Sequence, residues 1–138
     1  MRALLDTNII IDALTVRQPF YEEASIIFDL AASEYFTACL TATTITDIYY
    51  LLHKTFGKFV VKNHLSNLFE LFHILPVYGN DCQQAINFPI ADYEDAIQLA
   101  CAERSGIDHI ITRDSKFIQE CAIAITPAMF IKKVAVNS

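Results

Sequence analysis

Four aspartates, Asp6, Asp47, Asp95 and Asp114, each stand just past a short apolar run or near the start of a helical segment. Carboxylates packed together repel one another and resist ionisation unless a cation sits among them. Magnesium suits such a set, because it takes hard oxygen ligands and keeps several of its waters. A Mg²⁺ or Mn²⁺ ion held this way supports phosphodiester hydrolysis by polarising phosphoryl oxygen, activating water and offsetting the charge that builds in the transition state. Competing chemistries lack their signatures. The chain has no phosphate-binding G-x-x-x-x-G-K-[ST] loop, no G-x-S-x-G elbow, no G-x-G-x-x-G turn, and no paired-cysteine or H-x₃-H zinc spacing.

The elements that must carry these carboxylates follow from patterning. Apolar runs at residues 3–5, 35–39, 74–77, 109–112 and 122–126 predict strands, separated by segments mostly long enough for helices. That alternation implies parallel strands joined by crossover helices. Pro19, followed by Glu22 and Glu23, predicts a helix running to about Ser33. Thr43 or Thr44 can cap a helix that ends at Gly57, and Val61, Leu65, Leu68 and Phe72 form one apolar stripe of the next. Asp92 is a natural N-cap for a helix stopping at Gly106, which puts Asp95 in its first turn. In open parallel sheets ligands bind beyond the carboxyl ends of the strands, so all four aspartates can converge on that edge.

Composition narrows the class further. A chain of 138 residues suits a single domain spanning residues 1–138. Apolar residues form 54% of it, yet no run of about 18 occurs, so the excess predicts core or interface and no membrane span. Charges at Arg2, Asp6 and Asp12 interrupt any signal-peptide core, and the expected location is cytoplasmic. Cys39, Cys82, Cys101 and Cys121 form no C-x-x-C pair and read as reduced core residues. The net charge of −6 argues against a broad basic nucleic-acid footprint, but a nuclease whose carboxylates hold cations counts negative in its sequence.

Three segments in order carry a family resemblance: Leu4-Leu5-Asp6-Thr7-Asn8-Ile9-Ile10-Ile11-Asp12, Asp92-Tyr93-Glu94-Asp95-Ala96-Ile97, and Ile110-Ile111-Thr112-Arg113-Asp114-Ser115-Lys116-Phe117. Together they resemble a PIN domain, close to the toxin-like branch that includes the VapC-type ribonucleases of toxin–antitoxin pairs. The resemblance implies an α/β fold, a three-layer α/β/α sandwich around a five-stranded parallel sheet, with a Mg²⁺/Mn²⁺-dependent endoribonuclease site. It implies metal ligands at Asp6, Asp95 and Asp114, and support from Asn8 and Thr112. The remaining acidic position of the family is usually glutamate; Asp47 stands there, one methylene shorter, so its contact would run through water. An antitoxin protein and a homodimer are the partners it implies, with RNA as substrate.

Other residues have plainer readings. Asp92 is expected as a cap, Glu94 as solvent-facing, and Asp12 as a local cap or surface charge. Lys54, on the helix face of Asp47, and Arg113 and Lys116, beside Asp114, are candidates for substrate phosphate. The histidines do not cluster and are expected to pack or cap. Large apolar residues between Thr43 and Phe72 exceed what one core needs and predict an exposed groove for a partner helix. Two other functions stay open: a PIN-like module that binds RNA or protein without cutting, and a phosphotransfer fold with Asp6 as nucleophile. Against the latter, Asn8 stands where haloacid-dehalogenase-type phosphatases carry a second aspartate.

Overall fold

In chain order the elements are β1 (Arg2–Leu5), α1 (Thr7–Leu14), α2 (Tyr21–Ala32), β2 (Thr37–Thr41), α3 (Ala42–Phe56), α4 (Lys58–Leu71), β3 (His73–Leu75), α5 (Gly79–Ala85), α6 (Tyr93–Arg104), β4 (His109–Ile111), α7 (Ser115–Glu120), β5 (Ala124–Ile125) and α8 (Pro127–Asn137). The structure is a computed structural model describing residues 1–137. All four strand pairings are parallel, in the order β3-β2-β1-β4-β5. β1 takes the centre because it is apolar on both faces. Ala3 and Leu5 enter one core with Ala38, Leu40 and Ile111, while Leu4 enters a second with Cys39 and Ile110. Strands buried on both faces read as unbroken apolar runs, and helices cover each side. The result is the expected three-layer α/β/α sandwich. Among the described residues no helix is long and apolar enough to cross a membrane.

Some boundaries differ from the expected ones for local reasons. Residues 34 and 35 close the end of α2, with Glu34 at φ 61° and Tyr35 N–H on Leu30 O, so β2 starts at Thr37. β3 stops at Leu75 because Pro76 has no N–H to continue the ladder. β2 runs straight into α3, and Thr41, two residues before the expected cap, accepts from Thr44 N–H at 3.3 Å. α3 ends where expected, at Gly57, whose φ of 82° and ψ of 155° are accessible essentially to glycine alone.

The layer holding α5 and α6 depends on a buried ion pair. Asp81 accepts from Tyr78 N–H at 2.9 Å and from Arg104 Nη2 and Nε at 2.9 and 3.1 Å, while Arg104 also reaches Pro76 O. The Arg104 guanidinium holds the Asp81 carboxyl below its usual range. A depressed carboxylate pKa contributes stability that is present above the unfolded value and lost as pH falls through the folded one. Asp81→Asn is therefore expected to cost about 2 kcal/mol at neutral pH, below the roughly 3–5 kcal/mol of a fully buried pair because Arg104 is partly exposed. Thermal melts should show the gap to wild type closing as pH drops below 3.8.

Candidate active site

Strand order reverses between β1 and β4, the position where open α/β sheets leave a crevice at their carboxyl edge. Asp6 follows β1 there, and its N–H donates to Ile111 O at 2.9 Å, which extends the ladder by one residue. With φ −68° and ψ 153° Asp6 caps α1, accepting from Thr7 N–H at 2.8 Å. Its carboxylate receives three side chains besides: Thr112 Oγ1 at 2.7 Å, Gln98 Nε2 at 3.0 Å and Asn8 Nδ2 at 3.3 Å. The Thr112 hydroxyl spends its proton on Asp6 and accepts from Asn8 Nδ2 and Asp114 N–H, at 3.4 and 3.1 Å. One hydroxyl thus links the carboxyl ends of both strands.

The other three aspartates reach the same cleft, of about 660 Å³. Asp47 projects from the second turn of α3. Asp95 lies in the first turn of α6, with its N–H on Asp92 Oδ1 at 3.0 Å. Asp114 caps α7 by accepting from Lys116 and Phe117 N–H. Asp92 and Glu94 join them at the wall. Glu94 does not point to open solvent as expected: it hydrogen-bonds Asp47, and that bond, burial and the charges of Asp47, Asp92 and Asp6 push its carboxyl to about 8. Burial first, then Asp6, Asp92 and Asp114, push Asp95 up to about 7.

The chemistry of this donor set fits a divalent cation. Carboxylates that resist ionisation because of each other gain most from a positive charge among them. Asn8 Oδ1 and Gln98 Oε1, beside Asp6, are buried without a hydrogen-bond partner, so hard oxygens remain unsatisfied by the protein. Among the described residues, no three Asp, Glu, His or Cys side chains stand close enough to form a ready-made cage. An ion taking one or two carboxylates directly and the rest through water is compatible with that spacing and is magnesium's usual habit.

The basic candidates separate. Lys54 is exposed on α3 outside the cleft. Lys116 lines an adjoining cavity of about 320 Å³ that shares Asp92, Asp95 and Asp114. Arg113 lines the main cleft, but its guanidinium is held by Asp12, at 2.6 and 3.1 Å, and lies 3.7 Å from the centre of the Phe20 ring. Asp12 is therefore a buried ion-pair partner and not the surface charge its position suggests. Two of the four histidines pack as expected: His53 stacks on Tyr49 and its ring nitrogen lies against that residue's carbonyl, and His109 faces Ile123 O and Lys133, whereas His73 is exposed at the start of β3. Gln98 is the residue that motif reasoning missed. A signal was present: it sits three residues after Asp95 on a face otherwise made of Ala96, Ile97, Ala100 and Cys101, where a lone amide needs a polar partner.

The PIN domain family profile matches residues 2–116, and the chain belongs to that family. Solved structures share the fold. A toxin–antitoxin complex from Klebsiella pneumoniae is 24% identical with a TM-score of 0.68, covering 91% of this chain and 97% of that one. DNA-bound VapBC from Salmonella typhimurium is 17% identical with a TM-score of 0.70, covering 92% and 98%. VapC20 of Mycobacterium tuberculosis, a toxin that cleaves the sarcin–ricin loop, is 14% identical with a TM-score of 0.68, covering 85% and 93%. No curated protein matches the chain.

Proposed function

We propose that the protein is a Mg²⁺- or Mn²⁺-dependent endoribonuclease and the toxin of a type II toxin–antitoxin pair, acting in the cytoplasm. The observation that carries this reading is the gathering of Asp6, Asp47, Asp95 and Asp114 in one cleft at the point where strand order reverses. In the reaction a water oxygen bonds to phosphorus as one ester P–O bond breaks, leaving a phosphate monoester on one fragment and a hydroxyl on the other. These four aspartates would hold the cation, which supplies charge neutralisation and activation of water when bound. Asp6 is oriented before substrate arrives, because Thr7, Asn8, Gln98 and Thr112 all donate to it. Catalytic groups fixed in advance do not reorganise during the reaction. Asp92, at the wall of the cleft, adds to the negative field that concentrates cations there.

The comparisons support the biological half of the reading, since similar folds occur in VapBC complexes. Exposed apolar side chains on α3 and α4, among them Phe56, Phe59 and Phe69, offer an antitoxin or a second copy a surface of the kind such partners cover. Co-expression with the product of an adjacent small gene should retain that product through purification, and size-exclusion chromatography of the toxin alone should give a dimer.

The direct test is cleavage of a mixed RNA pool with Mg²⁺, with Mn²⁺ and with a chelator. Cleavage in either metal and none with chelator is the expected pattern; intact RNA throughout, from a folded protein, rejects the nuclease. A non-cutting binding module is the second reading, favoured by the absence of a ready-made carboxylate cage among the described residues. Calorimetry separates the two, because a nuclease of this kind binds Mn²⁺ at the cleft.

Metal binding is also expected to be visible as a pH effect. Asp95 and Glu94 have carboxyls raised to about 7 and about 8. A raised carboxylate pKa gives stability present below the unfolded value and lost as pH climbs through the folded one. In chelator, these two groups should make the protein lose thermal stability between roughly pH 5 and 8. Saturating Mn²⁺ should flatten that slope, and titrating it in near pH 6.5 should release protons. A slope unchanged by Mn²⁺ would place the ion elsewhere.

A further inference from the structure

We infer that Tyr50 forms a stacking subsite for an RNA base next to the phosphate that the carboxylates address, a step that rests on RNA being the ligand of the cleft. Tyr50 lies three residues after Asp47 on α3, so the two side chains share one helix face about one turn apart. Both line the same cleft, the carboxylate of Asp47 and the apolar ring of Tyr50 one helical turn apart with Leu51 beside them. A nucleotide presents the same pairing, an anionic phosphate and an apolar base with a sugar between them.

Tyr50 is 70% exposed, yet its ring is set by its neighbours. It stands at 83° to Tyr49 and 85° to His53, with centroids 5.5 and 6.0 Å away. Tyr49 and His53 are themselves stacked, 2° from parallel, and His53 Nδ1 is 3.1 Å from Tyr49 O. Tyr50 therefore rests edge-on against neighbours of its own helix while leaving ring surface open to the cleft. An aromatic face in a nucleic-acid channel accepts any base, because every base has a π-face.

Charge says why the site needs such a platform. The chain carries −6, and of the two arginines lining the cleft Arg113 is paired with Asp12, which leaves Arg17 to face its carboxylates. Phosphate attraction, the usual source of affinity, therefore draws on one arginine and the bound cation. Stacking is uncharged and is not opposed by the acidic wall.

The test is fluorescence anisotropy with a labelled single-stranded RNA of about eight nucleotides, within the range of single-strand sites. Ca²⁺ replaces Mg²⁺, and a gel checks that the strand stays intact. A second strand has abasic spacers in place of its bases. Tyr50→Ala is expected to weaken binding of the first strand by roughly five- to a hundredfold, as loss of one stacked base does. Tyr50→Phe should bind like wild type, and on the abasic strand all three proteins should bind equally. Equal binding of the RNA by wild type and Tyr50→Ala overturns the subsite, as does a loss of the same size on the abasic strand. A wild type that cuts RNA while Tyr50→Ala binds normally removes this inference alone. Stacking by a protein that never cuts removes the nuclease and leaves the subsite, and a wild type that binds no RNA removes both.

Discussion

Replacing Asp6 with asparagine is expected to lower metal-dependent RNA cleavage by at least about a hundredfold, the scale seen when one preorganised electrostatic group is removed from an active site. The substitution keeps the shape of the side chain and deletes its charge. The local network can take up most of the new amide: a turn of Gln98 would present its unpartnered Oε1 as an acceptor, and the loss is the Thr7 N–H bond to the same position. The fold should survive, with a melting temperature within a few degrees of wild type. Gel assays on the two proteins side by side, with circular dichroism as a control, decide the matter. Cleavage retained at the wild-type rate would remove Asp6 from the site and leave its hydrogen bonds as a cap for α1. Gln98→Ala would be milder, because three donors to Asp6 remain.

The second large effect is expected at Asp12. Asp12 is 1% exposed, and its only ion-pair partner among the described residues is Arg113. Removing one member of a buried pair strands the other charge, so Asp12→Ala should cost about 3 kcal/mol and lower the melting temperature by about 10 °C. Arg113 immediately precedes Asp114, so the same change frees the loop that aims this carboxylate, and cleavage should fall as well. A cycle with Arg113→Met makes the idea sharp. The double variant should be less destabilised than the sum of the singles, because neither charge is then left alone. Additive losses would mean that the pair is not energetically coupled. Arg113→Lys is expected to recover only part of the stability, since lysine has neither the two-pronged fork nor the plane that lies over Phe20.

Much of the architecture was legible because it rests on local signals. The apolar runs at residues 3–5 and 109–112 marked β1 and β4, and Asp92 and Gly106 bracketed α6. Short elements such as α5 and α7 left no periodic trace and went unread, since seven and six residues are too few to show a stripe. The sequence order of the carboxylates was equally readable, and the structure brings all four to one cleft; their roles await the experiments above. What sequence could not convey was pairing across long separations. Asp12 and Glu94 looked like solvated charges because nothing local announces Arg113 or Asp47 as a neighbour, and the same holds for Asp81 and Arg104. Lys54 lies outside the cleft lining for a related reason: a shared helix face says nothing of how far along that face the cleft extends.

The link between Asp6 and Thr112 spans 106 residues, and that between Asp6 and Gln98 spans 92. A ribosome adding roughly 5–20 residues per second therefore makes Asp6 seconds before it makes the groups that orient it. Until β4 emerges, the edge of β1 that later carries the site has no partner, and Asp6 is a solvated carboxylate on an open strand. If the protein is the ribonuclease proposed above, its nascent chain is thus inert beside the RNA that encodes and builds it. On that reading the site is assembled only when the last third of the molecule closes onto the first six residues, which would give an antitoxin made in the same place time to be waiting.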